Sequence, residues 1–196
     1  YGLSLLTGVP LPFEQAGFMP TPANREQRHI HYPTAFPFGD WYSGDNVNTA
    51  IGQGDVLVTP LQLANAYATL ARMGVHRSVR LLAGDPMEAR RIFDARHAWL
   101  IADMLSDNAA RARAFGWESA LAFEFPVACK TGTSSDFRDN WAMGYTPEFT
   151  VGVWVGNFDG APMQNVSGVT GAAPVMHAVM EQLHARFGTS GFERPH

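Results

Sequence analysis

The sequence predicts an α+β fold, with helices packed on an antiparallel sheet. Three observations carry this. Apolar residues recur at helical spacing from Leu63 to Leu70 and again across residues 172–187. Residues 126–133, 140–145 and 150–157 read as strands, and in the last Val151, Val153 and Val155 alternate with Gly152, Trp154 and Gly156. Thr146-Pro147-Glu148-Phe149 lies between the last two as a hairpin-length connection.

Along the chain, residues 1–58 are punctuated by Pro10, Pro12, Pro20, Pro22, Pro33 and Pro37. They predict irregular chain with short turns on the surface of a larger body. His29-Ile30-His31 would place two imidazoles on one face of a strand, a weak metal hint with no cysteine or carboxylate pair to support it. Gly52-Gln53-Gly54 reads as a turn, since no Lys-Ser/Thr follows to make a phosphate loop. Thr59 then fits an N-cap, Pro60 the first helical position and Gln62 the capping-box partner. Leu63, Ala66, Tyr67 and Leu70 form the buried stripe, and Gly74 the stop. Residues 75–93 predict short strands around Gly84-Asp85-Pro86. Asp94 caps a second helix through Leu105, with Ala98, Ile101, Ala102 and Leu105 on one face. Arg111, Arg113 and Phe115 follow in a polar-apolar segment that ends at Gly116. The last helix, 172–187, would turn Val175, Val179, Leu183 and Phe187 to the core, leave His177 and His184 solvated, and stop at Gly188. Trp41-Tyr42 and Trp154 read as packing residues.

Composition bounds the function. The 196 residues are 46% hydrophobic and 16% charged, enough for a real core. A net charge of -4 and the lack of any basic run argue against a nucleic-acid surface. The single cysteine, Cys129, makes an internal disulfide impossible and fits either cytoplasm or periplasm. No stretch approaches the ~18 apolar residues of a membrane helix. The opening Tyr1-Gly2-Leu3 reads as a piece of something longer, which leaves targeting undetermined.

The chemistry concentrates at Lys130. It is the sole lysine, against 13 arginines, and sits in Lys130-Thr131-Gly132-Thr133-Ser134. Lysine offers a compact ammonium and a movable pKa, and arginine offers neither. On a strand, Gly132 would let a substrate backbone lie alongside and pair with the main chain. The Thr133 N–H would face a developing oxyanion, and the Thr131 and Thr133 hydroxyls, with Ser134, would bind a carboxylate. Strict alternation puts Lys130, Gly132 and Ser134 on one face and Thr131 and Thr133 on the other. Cys129 then points away from Lys130, buried and inert.

Val127-Ala128-Cys129-Lys130-Thr131-Gly132-Thr133-Ser134 and Arg138-Asp139-Asn140-Trp141 resemble the transpeptidase domain of bifunctional penicillin-binding proteins of the 1C type. So do residues 150–157 and 166–174, and this resemblance spans residues 91–187. Residues 1–82, with Gly17-Phe18-Met19-Pro20-Thr21-Pro22, Trp41-Tyr42-Ser43-Gly44-Asp45 and Thr59-Pro60-Leu61-Gln62-Leu63-Ala64, are similar to elongation-type class B penicillin-binding proteins. The chain thus resembles a join of related segments, 1–82 and 91–196, within one partial transpeptidase domain of serine β-lactamase-like fold. The resemblance implies serine acyl transfer in peptidoglycan cross-linking. Lys130 and Thr133 would be catalytic, and Thr131, Gly132 and Ser134 substrate-binding. It also implies peptidoglycan stem peptides and β-lactams as ligands, no metal or organic cofactor, no nucleic acid, and a membrane-anchored parent at the periplasmic face of the inner membrane.

The family's nucleophile motif, Ser-x-x-Lys, is absent by counting: the one lysine has Val127 three residues before it. Ligand binding would need the upstream half of the domain, and this chain alone would be inactive. Ser106-Asp107-Asn108 spells the family's second motif, Ser-x-Asn, but directly follows an apolar helix and reads as a helix end. A non-catalytic binding or scaffold module is the rival reading, and a β-lactamase or D,D-carboxypeptidase the rival within enzymes.

Overall fold

The computed structural model describes residues 2–34 and 37–196. They divide into two compact units, residues 2–6 with 11–59, and residues 7–10 with 60–196. In the smaller unit, Phe18 and Leu57 exchange main-chain hydrogen bonds of 2.7 and 2.9 Å. Helices α1 (Pro22–His31) and α2 (Ser43–Ala50) replace the irregular chain expected there. Thr21 and Asn24 form a capping box around Pro22, so the start signal was local and complete. Neither helix buries a residue, so no apolar stripe marks them in the sequence. The 2.6 Å Arg25–Asp45 ion pair links the two. His29 and His31 lie on α1, two positions apart, and so diverge around the helix instead of sharing the face of a strand.

The larger unit carries the candidate site. Helix α3 (Pro60–Ala71) starts at the proline and ends before Gly74, whose φ is +87°. Strands β1 (Val75–Arg77) and β2 (Ala89–Arg91) pair antiparallel. Helix α4 (Ala95–Ser106) is capped by Asp94, whose side chain accepts from the Arg96 N–H. Ala98 and Ala102 are buried on α4 as expected, whereas Ile101 is exposed. Helix α5 (Asn108–Phe115) occupies the polar-apolar segment before Gly116.

Strands β3 (Ala128–Thr133), β4 (Asp139–Tyr145) and β5 (Thr150–Gly156) form an antiparallel sheet in the order β3-β4-β5. One face carries Cys129, Ala142, Val151, Val153 and Val155 beneath helix α6 (Ala172–Phe187). The other carries Ala128 and Tyr145, packed with Ala71 of α3 and Ala102 of α4. The bounds of α6 match the sequence reading, with Gly188 (φ +70°) after it. Its buried face does not. Ala172, Ala173, Met176 and Met180 are buried, while Val175 (51%) and Phe187 (62%) are exposed and Val179 is also open. Gly144 gives the reason: a Cβ there would sit 2.9 Å from the Met176 Sδ. The sheet leaves a slot that a long unbranched side chain fills, and branched or aromatic ones do not. His177 and His184 are not simply solvated either. They stack on Phe123 and Phe125, with ring centroids 4.4 and 3.9 Å apart.

Candidate active-site strand

β3 is the end strand of its sheet among the described residues, and it carries Lys130, Thr131, Gly132 and Thr133. In the register, Lys130 faces Met143, Thr131 faces Ala142, Gly132 faces Trp141 and Thr133 faces Asn140. The Ser134 N–H donates to the Asp139 carbonyl at 2.9 Å, one step beyond the Thr133–Asn140 pair. Antiparallel partners alternate between hydrogen-bonded and non-bonded pairs. Gly132 and Lys130 therefore bond β4, and the main-chain groups of Thr131 and Thr133 point to the other edge. The Lys130 Nζ curls along that edge and donates to the Thr131 carbonyl. Lys130 is exposed.

Gly132 has room that its own chain does not use. A Cβ there would touch only the Trp141 Cβ, at 3.7 Å, an ordinary contact. The Thr131 hydroxyl has no hydrogen-bond partner among the described residues. The Thr133 Oγ1 accepts from the Gly168 N–H at 2.9 Å. Ser134 is committed to the hairpin: its Oγ donates to the Asp139 Oδ2 at 2.9 Å and accepts from the Asp139 N–H at 2.8 Å. Asp139 also accepts from the Trp154 Nε1 at 2.9 Å. Beyond the Ser134–Asp139 pair, residues 135–138 turn β3 into β4 through a single 3-10 turn (Ser135–Phe137), with positive φ at Asp136 and Phe137 (58° and 56°).

The other marked residues make contacts within the fold. Ser106-Asp107-Asn108 is the junction of α4 and α5. The Ser106 Oγ donates to the Asp103 carbonyl and Asp107 caps α5 through the Ala110 N–H. Trp154 packs near Trp141 and Phe158. Among the described residues no group of three His, Cys, Asp or Glu is placed to hold a metal ion. Cys129 is buried opposite the Lys130 face, and burial pushes its thiol up to about 12. Native protein at pH 8 is therefore expected to resist iodoacetamide, and a stoichiometric adduct within minutes would contradict the burial. The stability that this neutral thiol contributes is present below the ordinary thiol pKa of 9.0 and is lost as pH rises toward about 12.

Sequence reasoning missed the role of residues 163–171, which run across the end of β3 into α6. Gly168 lies so close that a Cβ on it would be 2.5 Å from the Gly132 carbonyl oxygen and 2.6 Å from that of Trp141.

Against known proteins, the sequence profile of the penicillin-binding protein transpeptidase domain matches residues 1–181. Penicillin-binding protein 1C of Escherichia coli is 31% identical over 159 residues, 81% of this chain and 20% of that protein. The structure of penicillin-binding protein 2 from Helicobacter pylori superposes with a TM-score of 0.70 at 21% identity, over 95% of this chain and 33% of that one. Penicillin-binding protein A from M. tuberculosis, solved as its penicillin G acyl-enzyme complex, gives a TM-score of 0.54 at 26% identity over 71% of this chain and 35% of that one. The chain thus spans a fifth of the 1C protein and about a third of these solved neighbours.

Proposed function

The chain belongs to the penicillin-binding protein transpeptidase family, and on that premise we propose that it supplies the substrate-clamping part of a peptidoglycan D,D-transpeptidase site. A serine upstream of this chain attacks the carbonyl carbon of a D-Ala-D-Ala peptide bond. The acyl group passes to that serine, the terminal D-alanine leaves, and an amine of a second stem peptide takes the acyl group. The stem peptide lies along the outer edge of β3, over Gly132. The Thr133 N–H donates to the oxyanion, and the Thr131 hydroxyl and Thr133 serve the carboxylate end, while the Ser134 hydroxyl, bonded to Asp139, holds the hairpin behind them. Lys130 supplies a compact positive charge beside the nucleophile. β-Lactams occupy the same edge. The parent protein works at the periplasmic face of the inner membrane, to which it is anchored.

The single observation that carries this reading is the open edge of β3, with its ammonium at one end and an unfilled space at Gly132. Among the described residues only the Trp141 Cβ borders that space. A ligand backbone approaching the strand fills it.

The test is labelling with a fluorescent penicillin. The 196-residue chain alone holds no Ser-x-x-Lys and is expected to take no covalent label. The same chain with its natural upstream sequence is expected to give a band that survives denaturation, on a serine outside residues 1–196. A label on any serine of this chain, or none on the extended protein, would overturn the proposal.

A further inference from the structure

We infer that Asn140 is a positioning residue for this site: it holds residues 166–168 against the end of β3 and so fixes Thr133 on the substrate edge. The inference rests on the transpeptidase reading of β3. Asn140 lies on β4 directly opposite Thr133, so their side chains share one face of the sheet. Both reach the same segment. The Asn140 Nδ2 donates to the Val166 carbonyl at 2.6 Å, and the Gly168 N–H donates to the Thr133 Oγ1 at 2.9 Å. The cross-strand pair therefore grips residues 166–168 at both ends.

The gripped segment is internally tight and continuous with α6. The Gly171 N–H donates to the Ser167 carbonyl at 2.7 Å, the Ser167 N–H to the Thr170 Oγ1 at 2.9 Å, and the Ala173 N–H to the Gly168 carbonyl at 2.8 Å. Gly168 brings its backbone onto the backbones of Gly132 and Trp141, an approach that needs a tether. Asn140 is fully buried, and its Oδ1 has no hydrogen-bond partner. An apolar side chain would avoid that orphaned oxygen. The position keeps an amide whose Nδ2 donates to the Val166 carbonyl and also reaches the Met163 Sδ at 3.8 Å, both on the gripped segment's side, while its oxygen goes unpaired. Asparagine also discriminates sharply from aspartate here, because a carboxylate would set oxygen against the Val166 carbonyl.

The experiment uses the full-length protein and follows β-lactam acylation in two steps, reversible binding and the acylation rate constant. Asn140→Asp removes the donor at nearly constant shape, and Asn140→Ser keeps a shorter donor. For Asn140→Asp we expect the acylation rate constant to fall at least tenfold, well below the melting temperature, with reversible binding changed less than threefold. Asn140→Ser should recover part of the loss. A rate constant that stays at wild type, with or without a lower melting temperature, would make Asn140 structural only and overturn the inference. Wild-type protein supplies a second readout if the variants do not fold: the Gly168 amide is expected to exchange slowly with solvent, and fast exchange would show that the tether is not there. A wild-type protein that takes no β-lactam at all would defeat the transpeptidase reading while leaving the Gly168 result to judge the tether.

Discussion

Alanine at position 168 is expected to cut β-lactam acylation of the full-length protein about a hundredfold or more. The added Cβ would lie 2.5 Å from the Gly132 carbonyl oxygen, 2.6 Å from that of Trp141 and 3.2 Å from the Gly132 nitrogen. All three are backbone atoms of the two strands that build the site, so no side-chain rotation relieves the clash. Either β3 moves outward or the 166–168 segment lifts and gives up the Gly168–Thr133 hydrogen bond. A displacement of about 1 Å at a reacting centre can cost about a hundredfold in rate. Overpacking of this kind costs about 1–3 kcal/mol of stability, so the melting temperature should fall as well. Rate and melting temperature measured side by side check this. A Gly168→Ala protein that acylates at the wild-type rate would mean that the close approach does not control the strand.

Arginine in place of Lys130 is expected to slow acylation about a hundredfold with little change in folding. The charge is kept, but the guanidinium is planar and longer, and it cannot present one compact ammonium beside a serine hydroxyl. Losing one well-placed transition-state donor typically costs ~3 kcal/mol. Lys130 is exposed, and its ammonium donates to the Thr131 carbonyl on its own strand. Such surface substitutions usually move stability by only about half a kcal/mol. Acylation of Lys130→Arg at the wild-type rate would mean that the lysine contributes charge alone. Loss of both rate and melting temperature would make it a structural residue.

How much of this was legible in the sequence depended on whether the physics was local. α3, α4 and α6 announce themselves because Pro60, Asp94 and Gly188 mark their ends, although α3 buries Gln62, Ala66, Thr69 and Ala71 and leaves Leu63, Tyr67 and Leu70 of the expected stripe half-buried. α1 and α2 bury nothing, so periodicity is silent, although the Thr21–Asn24 capping box was there to be read. The bounds of α6 could be read but not its buried face, because the slot above Gly144 is a property of the sheet. The β3–β4 turn was hidden because Asp136-Phe137 is not a pair that favours positive φ, as Asn-Gly would be.

The site divides the same way. Lys130, Thr131, Gly132 and Thr133 stand out through one lysine in a chain of arginines, and alternation alone sorts their faces. What holds them is tertiary. Asn140 bonds a carbonyl 26 residues away, and Thr133 accepts from an amide 35 residues away. Ser134 illustrates the limit, since its type fits a carboxylate clamp while its hydroxyl closes the hairpin on Asp139.

The central claim is that ligands bind along the outer edge of β3. Amide hydrogen exchange of the full-length protein, with and without a bound β-lactam, tests it most directly. Slowed exchange is expected at residues 131–133, with β5 (Thr150–Gly156), at the opposite end of the sheet, unchanged. Protection of β5 with none on β3, or no change on either strand in a protein shown to be acylated, would contradict it.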